Sequence, residues 1–515
     1  LEDATEVPVP WCGNCAQWSR GQPCEWCDHP DALRAGSRGE AAPDDSPPTL
    51  AVRSYTYARG LLRLEGGEQV ALLHYLLKWA VLGTIVGVLA GLAAAVFLLS
   101  LAWVTETREG NPWLLAGLPL GGFAVALAYH YLGGNSASGN NLILDAVHEP
   151  EHGEHVERPP EVPLRMAPLV LTGTLVTHLF GGSAGREGTG VQMSGALAAT
   201  FARITRLSAE DRRIVLIASI AGGFGGVFQV PMAGTVFALE ALTVGRIRFA
   251  ALMPAMVAGI LGDGVARTAF DLTGLPHGPT PTVTLPGVTF DPWLLGKVAL
   301  AGIAFGLAAI LFSELVYGLR RTYRAASPWA PARPIIGGLA VIALAGLVGT
   351  TAYLGLSLPL IADAYEGEVA AWAFLLKIVF TAVTIAAGFQ GGEVTPLFVI
   401  GATLGGALAE PLDAPPEILA AIGLVAVFAG ATNTPLASTL MGVELFGGGA
   451  LVYLAVGCVI SYVFTGHRGI YESQRIDSPK GDIPTGRGTD VRTLMQRRRP
   501  WLPPHRGRRP RRSRR

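Results

Sequence analysis

The stretch Phe224-Gly-Gly-Val-Phe-Gln-Val-Pro231-Met-Ala-Gly-Thr-Val-Phe-Ala-Leu-Glu240 returns 204 residues later as Phe428-Ala-Gly-Ala-Thr-Asn-Thr-Pro435-Leu-Ala-Ser-Thr-Leu-Met-Gly-Val-Glu444, with phenylalanine, proline, threonine and glutamate in register. A second pair, Gly185-Arg-Glu187-Gly-Thr189 and Gly391-Gly-Glu393-Val-Thr395, repeats at an offset of 206, each followed by a Gly-Ala at Gly195 and Gly401. Two matches in the same order predict duplicated halves, 66–250 and 290–475. Both halves are apolar and interrupted by glycine and proline, and interrupted helices in corresponding positions of two halves point to a binding site in mid-membrane.

Composition agrees. The 515-residue chain has 15% charged and 50% hydrophobic side chains, 66 glycines and 36 prolines, and a mean hydropathy of +0.41. Soluble domains carry about a quarter charged residues. The polar residues gather at the ends, leaving about 70–465 as one apolar block, which excludes a single water-soluble core and predicts an all-α polytopic membrane protein. Runs such as 166–180 and 233–244 are shorter than the ~20 residues a spanning helix needs. Almost no polar loop separates them, so the chain breaks at membrane depth, where broken helices survive only inside protein or beside a wet cavity.

The layout is an N-terminal region 1–65, a first repeat 66–250, a connecting helix and loop 251–289, a second repeat 290–475 and a basic disordered tail 476–515. Twelve arginines from Arg487 onward face one acid, Asp490. Such a tail is expected to remain cytoplasmic, touching anionic lipid rather than nucleic acid. No secretory signal is visible at the N-terminus, so the cysteines there are expected to face a reducing cytoplasm; the protein is expected in the plasma (inner) membrane with both termini cytoplasmic. Cys12, Cys15, Cys24 and Cys27 form two CxxC pairs that supply four thiolates, a candidate structural zinc site, although the gap between them is shorter than in zinc ribbons. A redox-labile pair or no function at all are the alternatives.

Three glycine-rich breaks precede apolar helices: Gly134 to Asn141, Gly181 to Gly188, and Gly388 to Val394. Helix starts carry unpaired N–H groups and the positive dipole end, and glycine lets an ion reach the backbone. Several such starts pointing inward predict a small anion as substrate. Close helix packing is the other use of glycine and suits Gly405-Gly406. Glu187 opens a buried helix, and an intramembrane carboxylate is a functional-site hypothesis by default. Ionised, it can occupy an anion's place; protonated, it would leave. One residue can thus gate a path and carry a proton.

Gly185-Arg186-Glu187-Gly188, the Gly391-Gly-x-x-x-Pro396 break, the Pro231/Glu240 and Pro435/Glu444 segments and a late Tyr471, in this order over about 66–475, resemble the CLC superfamily of anion channels and proton-coupled antiporters. The resemblance implies two inverted halves of broken and re-entrant helices, a homodimer, and a separate anion path in each subunit. It makes Glu187 the gating glutamate and Tyr471 the tyrosine facing the anion. It also implies a secondary active transporter rather than an enzyme, needing no cofactor.

Departures from the commoner chloride pattern narrow this. The first break reads Gly139-Asn140-Asn141, with Asn140 in place of the anion-contacting serine. The glutamate break ends Gly188-Thr189 rather than Gly-Pro, and Glu393-Val394 replaces an apolar-Phe pair before Thr395. This set is similar to the fluoride-exporting branch, so a fluoride/proton antiporter is expected, with a chloride/proton antiporter or chloride channel as the alternative. Fluoride is small and strongly hydrated, and an amide offers it more donors than a hydroxyl. Glu393 is a second candidate for proton coupling, or else a cap on its own helix. Chloride antiporters usually have an inner proton glutamate directly after Glu240, where this chain has Ala241.

His148-Glu-Pro-Glu-His152, with His155 beyond it, fits the zinc-protease pattern HExxH, the remotest alternative. Pro150 lies between the histidines, removing an N–H and clashing with the preceding turn, so a polar loop is expected. Glu240 and Glu444, at equivalent helix ends, are read as structural caps more readily than as proton carriers.

Overall fold

The computed structural model describes residues 11–12, 17–18, 50–148, 160–274, 280–285, 290–481 and 489–497, and side chains from residue 68 to 495 within those ranges. Contacts divide the chain at residue 72. In the first unit, strands Trp11–Cys12 and Gln17–Trp18 pair antiparallel. Cys15, Cys24 and Cys27 lie outside the described residues, and of Cys12 only the backbone is described.

The helices run in chain order as α1 Leu50–Gly110, α2 Leu118–Ala128, α3 Asn140–Val147, α4 Met166–Leu179, α5 Glu187–Ile204, α6 Ala209–Phe228, α7 Pro231–Glu240, α8 Leu252–Thr273, α9 Pro292–Ala326, α10 Arg333–Val348, α11 Pro359–Glu366, α12 Ala373–Ala387, α13 Val394–Leu412, α14 Pro416–Thr432, α15 Pro435–Phe446, α16 Leu451–Thr465 and α17 Val491–Arg497. Among the described residues seven helices are long and apolar enough to cross a membrane. Others, such as α4 with 14 residues and α7 with 10, are too short, as the glycine and proline punctuation predicts.

The duplication appears as matched series, α4 to α8 and α12 to α16. Pro231 and Pro435 open α7 and α15, where a missing N–H costs nothing, and Glu240 and Glu444 close or nearly close them. Each glutamate caps the other half's helix: Glu240 accepts from the N–H groups of Leu436 (3.1 Å) and Ala437 (2.8 Å), and Glu444 from those of Met232 (3.0 Å) and Ala233 (2.7 Å). The late part of each helix therefore meets the start of the other. The two lie antiparallel, so the halves cross the membrane in opposite senses. This also assigns both glutamates to the orphan N–H groups every helix start presents.

Packing follows from residue size. A β-carbon at Gly401, Gly405 or Gly423 would run into backbone on the facing helix, so α13 and α14 touch backbone to backbone. Phe224, Phe228, Phe237, Phe398 and Phe428 form a ring cluster at the centre, with centroids 4.4 to 6.0 Å apart.

After α16 the chain turns back over the bundle. Strand Arg475–Ile476 pairs in parallel with Thr243–Val244, and Val491, Leu494 and Met495 pack on Val244 and Ile476. The tail expected to be disordered from 476 is therefore folded in part, because the few apolar residues of an otherwise basic stretch find a small satellite core.

Candidate functional site

Each expected break delivers a helix start. Gly139 (φ +59°) leads into α3 at Asn140, Gly181 (φ +80°) opens the turn before α5 at Glu187, and Gly391 (φ +153°) precedes α13 at Val394. Left-handed backbone of this kind favours glycine. Two breaks are then joined across the halves. Gly185 and Gly392 exchange N–H···O bonds in both directions, each 2.7 Å. The fit admits no side chain, since a β-carbon on Gly392 would lie 2.9 Å from the Gly188 nitrogen and one on Gly185 2.8 Å from Pro396 Cδ.

Glu187 is 1% exposed. Its carboxylate does not fold back over α5 but crosses to the start of α13, accepting the Thr395 N–H at 3.0 Å and the Thr395 hydroxyl. Arg186 completes its shell through N (3.2 Å) and Nε (3.2 Å), while Arg186 Nη2 donates to Thr280 Oγ1 at 2.8 Å and the guanidinium lies 5.9 Å from the centre of the Phe228 ring. A carboxylate thus occupies the N-terminal end of the opposite half's helix, where an anion is electrostatically welcome.

Asn140 meets this junction from α3: its Nδ2 lies 3.0 Å from where a Gly188 β-carbon would stand. Gln192, five residues along α5 from Glu187, reaches the same junction, its Nε2 3.5 Å from the equivalent point on Gly139 and 3.8 Å from that on Gly188. The amide oxygens of both are buried without a hydrogen-bond partner. Gln192 lies outside the motifs that the sequence singles out, although a glutamine in a Gly/Ala-rich helix five residues after the key carboxylate is a usable signal. A cavity of about 1370 Å³ opens here, lined by Gly139, Asn140, Gln192, Glu393 and Tyr471 among others. The Tyr471 ring stands edge-on to Phe237 at 6.2 Å.

Other candidates fall elsewhere. The Thr189 hydroxyl is paired with Thr174 Oγ1 at 2.7 Å, turned toward α4. Val394 is buried in the first turn of α13. Glu393 does not cap its helix: it accepts from Arg320 Nη2 at 3.1 Å, and Arg320 Nη1 reaches Glu472 at 3.1 Å, which also pairs with Arg492 at 3.1 Å. A Glu–Arg–Glu–Arg chain therefore runs from the cavity to α17. Arg320, Arg321, Arg324, Arg333 and Arg492 line the same cavity, giving it an anion-attracting field. At Ala241 no acid is present; its carbonyl accepts from Gln474 Nε2 at 3.0 Å.

The zinc-protease alternative loses its helix. α3 ends at Val147 and His148 is extended (ψ 142°); Glu149, His152 and His155 lie outside the described residues. Burial pulls His148 from its ordinary 6.5 to about 4. The ring is therefore neutral, and Nε2–H donates to the Leu242 carbonyl at 3.0 Å. Among the described residues no three His, Cys, Asp or Glu side chains converge as a metal site.

Inverted halves of broken helices, with glycine-lined starts meeting around one carboxylate above a basic cavity, define a multi-pass membrane anion transporter. The chain belongs to the CLC family: the family model described as voltage gated chloride channel matches residues 121–466. It is 46% identical over 423 residues to a "Chloride/fluoride channel protein" of Pseudomonas syringae pv. tomato, covering 81% of this chain and 90% of that one. An "H(+)/Cl(-) exchange transporter" of Vibrio vulnificus is 27% identical over 428 residues, 76% of this chain and 87% of that one. Among solved structures, a CLC-type fluoride/proton antiporter superposes with a TM-score of 0.72 at 33% identity, covering 78% of this chain and 98% of that one. A slow cyanobacterial Cl⁻/H⁺ antiporter shares the fold, with a TM-score of 0.63 at 19% identity over 82% and 97% of the two chains.

Proposed function

We propose that this protein is a fluoride/proton antiporter that exports fluoride in exchange for protons, working as a homodimer in the plasma membrane with both termini in the cytoplasm. The observation that carries the reading is the junction of Glu187, Thr395 and Asn140: a carboxylate held at a helix start, with the Asn140 amide NH₂ brought up to Gly188 beside it. Fluoride is a compact, strong acceptor, and its dehydration is offset only by strong donors. Amide NH₂ groups at Asn140 and Gln192, the Thr395 N–H and hydroxyl, and the Arg186 guanidinium that here pairs with Glu187 supply them. A carboxylate that shares this position with the anion leaves when protonated, which couples the two ions. The similarity to the fluoride/proton antiporter structure and to the Pseudomonas relative supports the substrate; the Vibrio relative favours chloride as the second reading.

On this reading the chain is a secondary active transporter, not an enzyme, and transport needs no cofactor. Zinc at Cys12, Cys15, Cys24 and Cys27 is a separate proposal that metal analysis of the full chain tests. Fluoride efflux from proteoliposomes with proton movement recorded alongside tests the transport reading, and chloride moving as readily as fluoride overturns its substrate.

A further inference from the structure

Lys377 lies in the middle of α12 and is 0% exposed. Its ammonium donates to Ser357 Oγ (2.8 Å), Gly355 O (2.9 Å) and Ser183 Oγ (3.0 Å), with Tyr353 O at 3.4 Å. No carboxylate is among these partners. A buried charge is costly unless fully hydrogen-bonded, and an apolar side chain would fill the same slot in α12 without that cost. An ionisable residue retained in such a place asks for a role.

Its partners suggest one. Ser183 lies four residues before Glu187, in the second glycine-rich break. Its hydroxyl is also paired with Thr381 Oγ1 at 2.9 Å, and its N–H donates to Thr384 Oγ1 at 3.2 Å. Lys377, Thr381 and Thr384 are spaced four and three residues apart, one face of a helix, and all three converge on this serine. The next residue, Ala184, is held through its carbonyl by His178 Nε2 at 3.1 Å. Gly185 after it is locked to Gly392. Every residue from 183 to 185 is therefore fixed to a rigid element, and the run ends at Arg186 and Glu187.

We propose that Lys377 is a positioning residue for the gate: with Thr381 and Thr384 it suspends Ser183 from α12, and so sets where the Glu187 carboxylate stands relative to Thr395. An ammonium serves here because it supplies three donors at once, two holding the loop of Gly355 and Ser357 and one holding Ser183. The inference rests on Glu187 being the pH-responsive gate.

The test is fluoride efflux, measured against pH, from proteoliposomes holding the full chain. Lys377→Met and Ser183→Ala are each expected to flatten the pH profile by raising efflux at alkaline pH at least about tenfold, the scale of one hydrogen bond to a charged group. The double variant is expected to show no larger effect than Lys377→Met alone. Ser357→Ala, which removes only the loop contact, is expected to lower thermal stability and leave the profile unchanged. Wild-type-shaped profiles in both Lys377→Met and Ser183→Ala, or additive effects in the double variant, overturn the proposal. If Lys377→Met fails to fold, Ser183→Ala and Thr381→Val decide by the same criterion. Wild-type efflux that ignores pH would remove the gate reading and this inference together; a pH-dependent wild type with unaltered variants removes the inference alone.

Discussion

Thr395 donates both its backbone N–H, at 3.0 Å, and its hydroxyl to the carboxylate of Glu187, so the acid of one half is held by the helix start of the other. Removing the hydroxyl loosens that hold. Thr395→Val is expected to raise anion efflux at alkaline pH by about ten- to a hundredfold, since a hydrogen bond to a charged group contributes about 1.5–3 kcal/mol. Efflux unchanged from wild type at alkaline pH would mean the contact does not hold the path closed.

Glu187→Gln keeps the shape of the side chain but neither ionises nor binds the transported proton. Anion movement is expected to become independent of pH and to proceed without proton flux. Proton movement that persists in this variant excludes Glu187 as the carrier.

Arg320 compensates the Glu393 carboxylate beside the cavity, at 3.1 Å and with both side chains partly exposed. Arg320→Gln leaves an uncancelled negative charge near the anion route. The half-saturation concentration for the anion is expected to rise about three- to tenfold, a range lowered from that of a fully buried pair by solvent screening. Adding Glu393→Gln should restore it; no recovery in the double variant would separate the arginine's effect from that carboxylate.

The reciprocal caps predict symmetrical damage. Glu240→Ala and Glu444→Ala each orphan two N–H groups at a helix start and should cost about 1–2 kcal/mol of stability apiece, read as a lower unfolding temperature in detergent. Proton coupling should survive in both. Its loss from a well-folded Glu240→Ala protein would make that residue a carrier.

His148 gives the stability a pH dependence. Its native value of about 4 lies below the ordinary 6.5 because the ring is buried, so between these values the unfolded chain binds a proton that the native one refuses. Stability should therefore fall as pH drops from 6.5 to 4, by at most about 3 kcal/mol from this group. His148→Asn should flatten that part of the curve of unfolding temperature against pH; an unchanged slope would assign it to other groups.

Much of this was legible in the sequence because repetition and punctuation are local signals. The offset between Pro231/Glu240 and Pro435/Glu444 carries the duplication, and the three breaks place the starts of α3, α5 and α13 at Asn140, Glu187 and Val394. What a carboxylate touches across the bundle is not local. The repeat marks Glu240 and Glu444 as equivalent, yet only their placement reveals that each caps the other's helix. Likewise, nothing near Glu393 in sequence announces Arg320, 73 residues earlier. Lys377 sits in an apolar run and acquires meaning only through Ser183, 194 residues away. The partly folded tail was hidden because arginines dominate a stretch whose few apolar residues, Val491, Leu494 and Met495, do the packing.

The central claim is exchange of fluoride for protons. The most direct measurement loads proteoliposomes with fluoride or chloride and follows anion efflux and proton uptake together. Fluoride leaving much faster than chloride, with protons entering in fixed proportion and driven uphill by the fluoride gradient, is the predicted result. Equal rates for the two anions, or fluoride efflux with no proton movement, would contradict it.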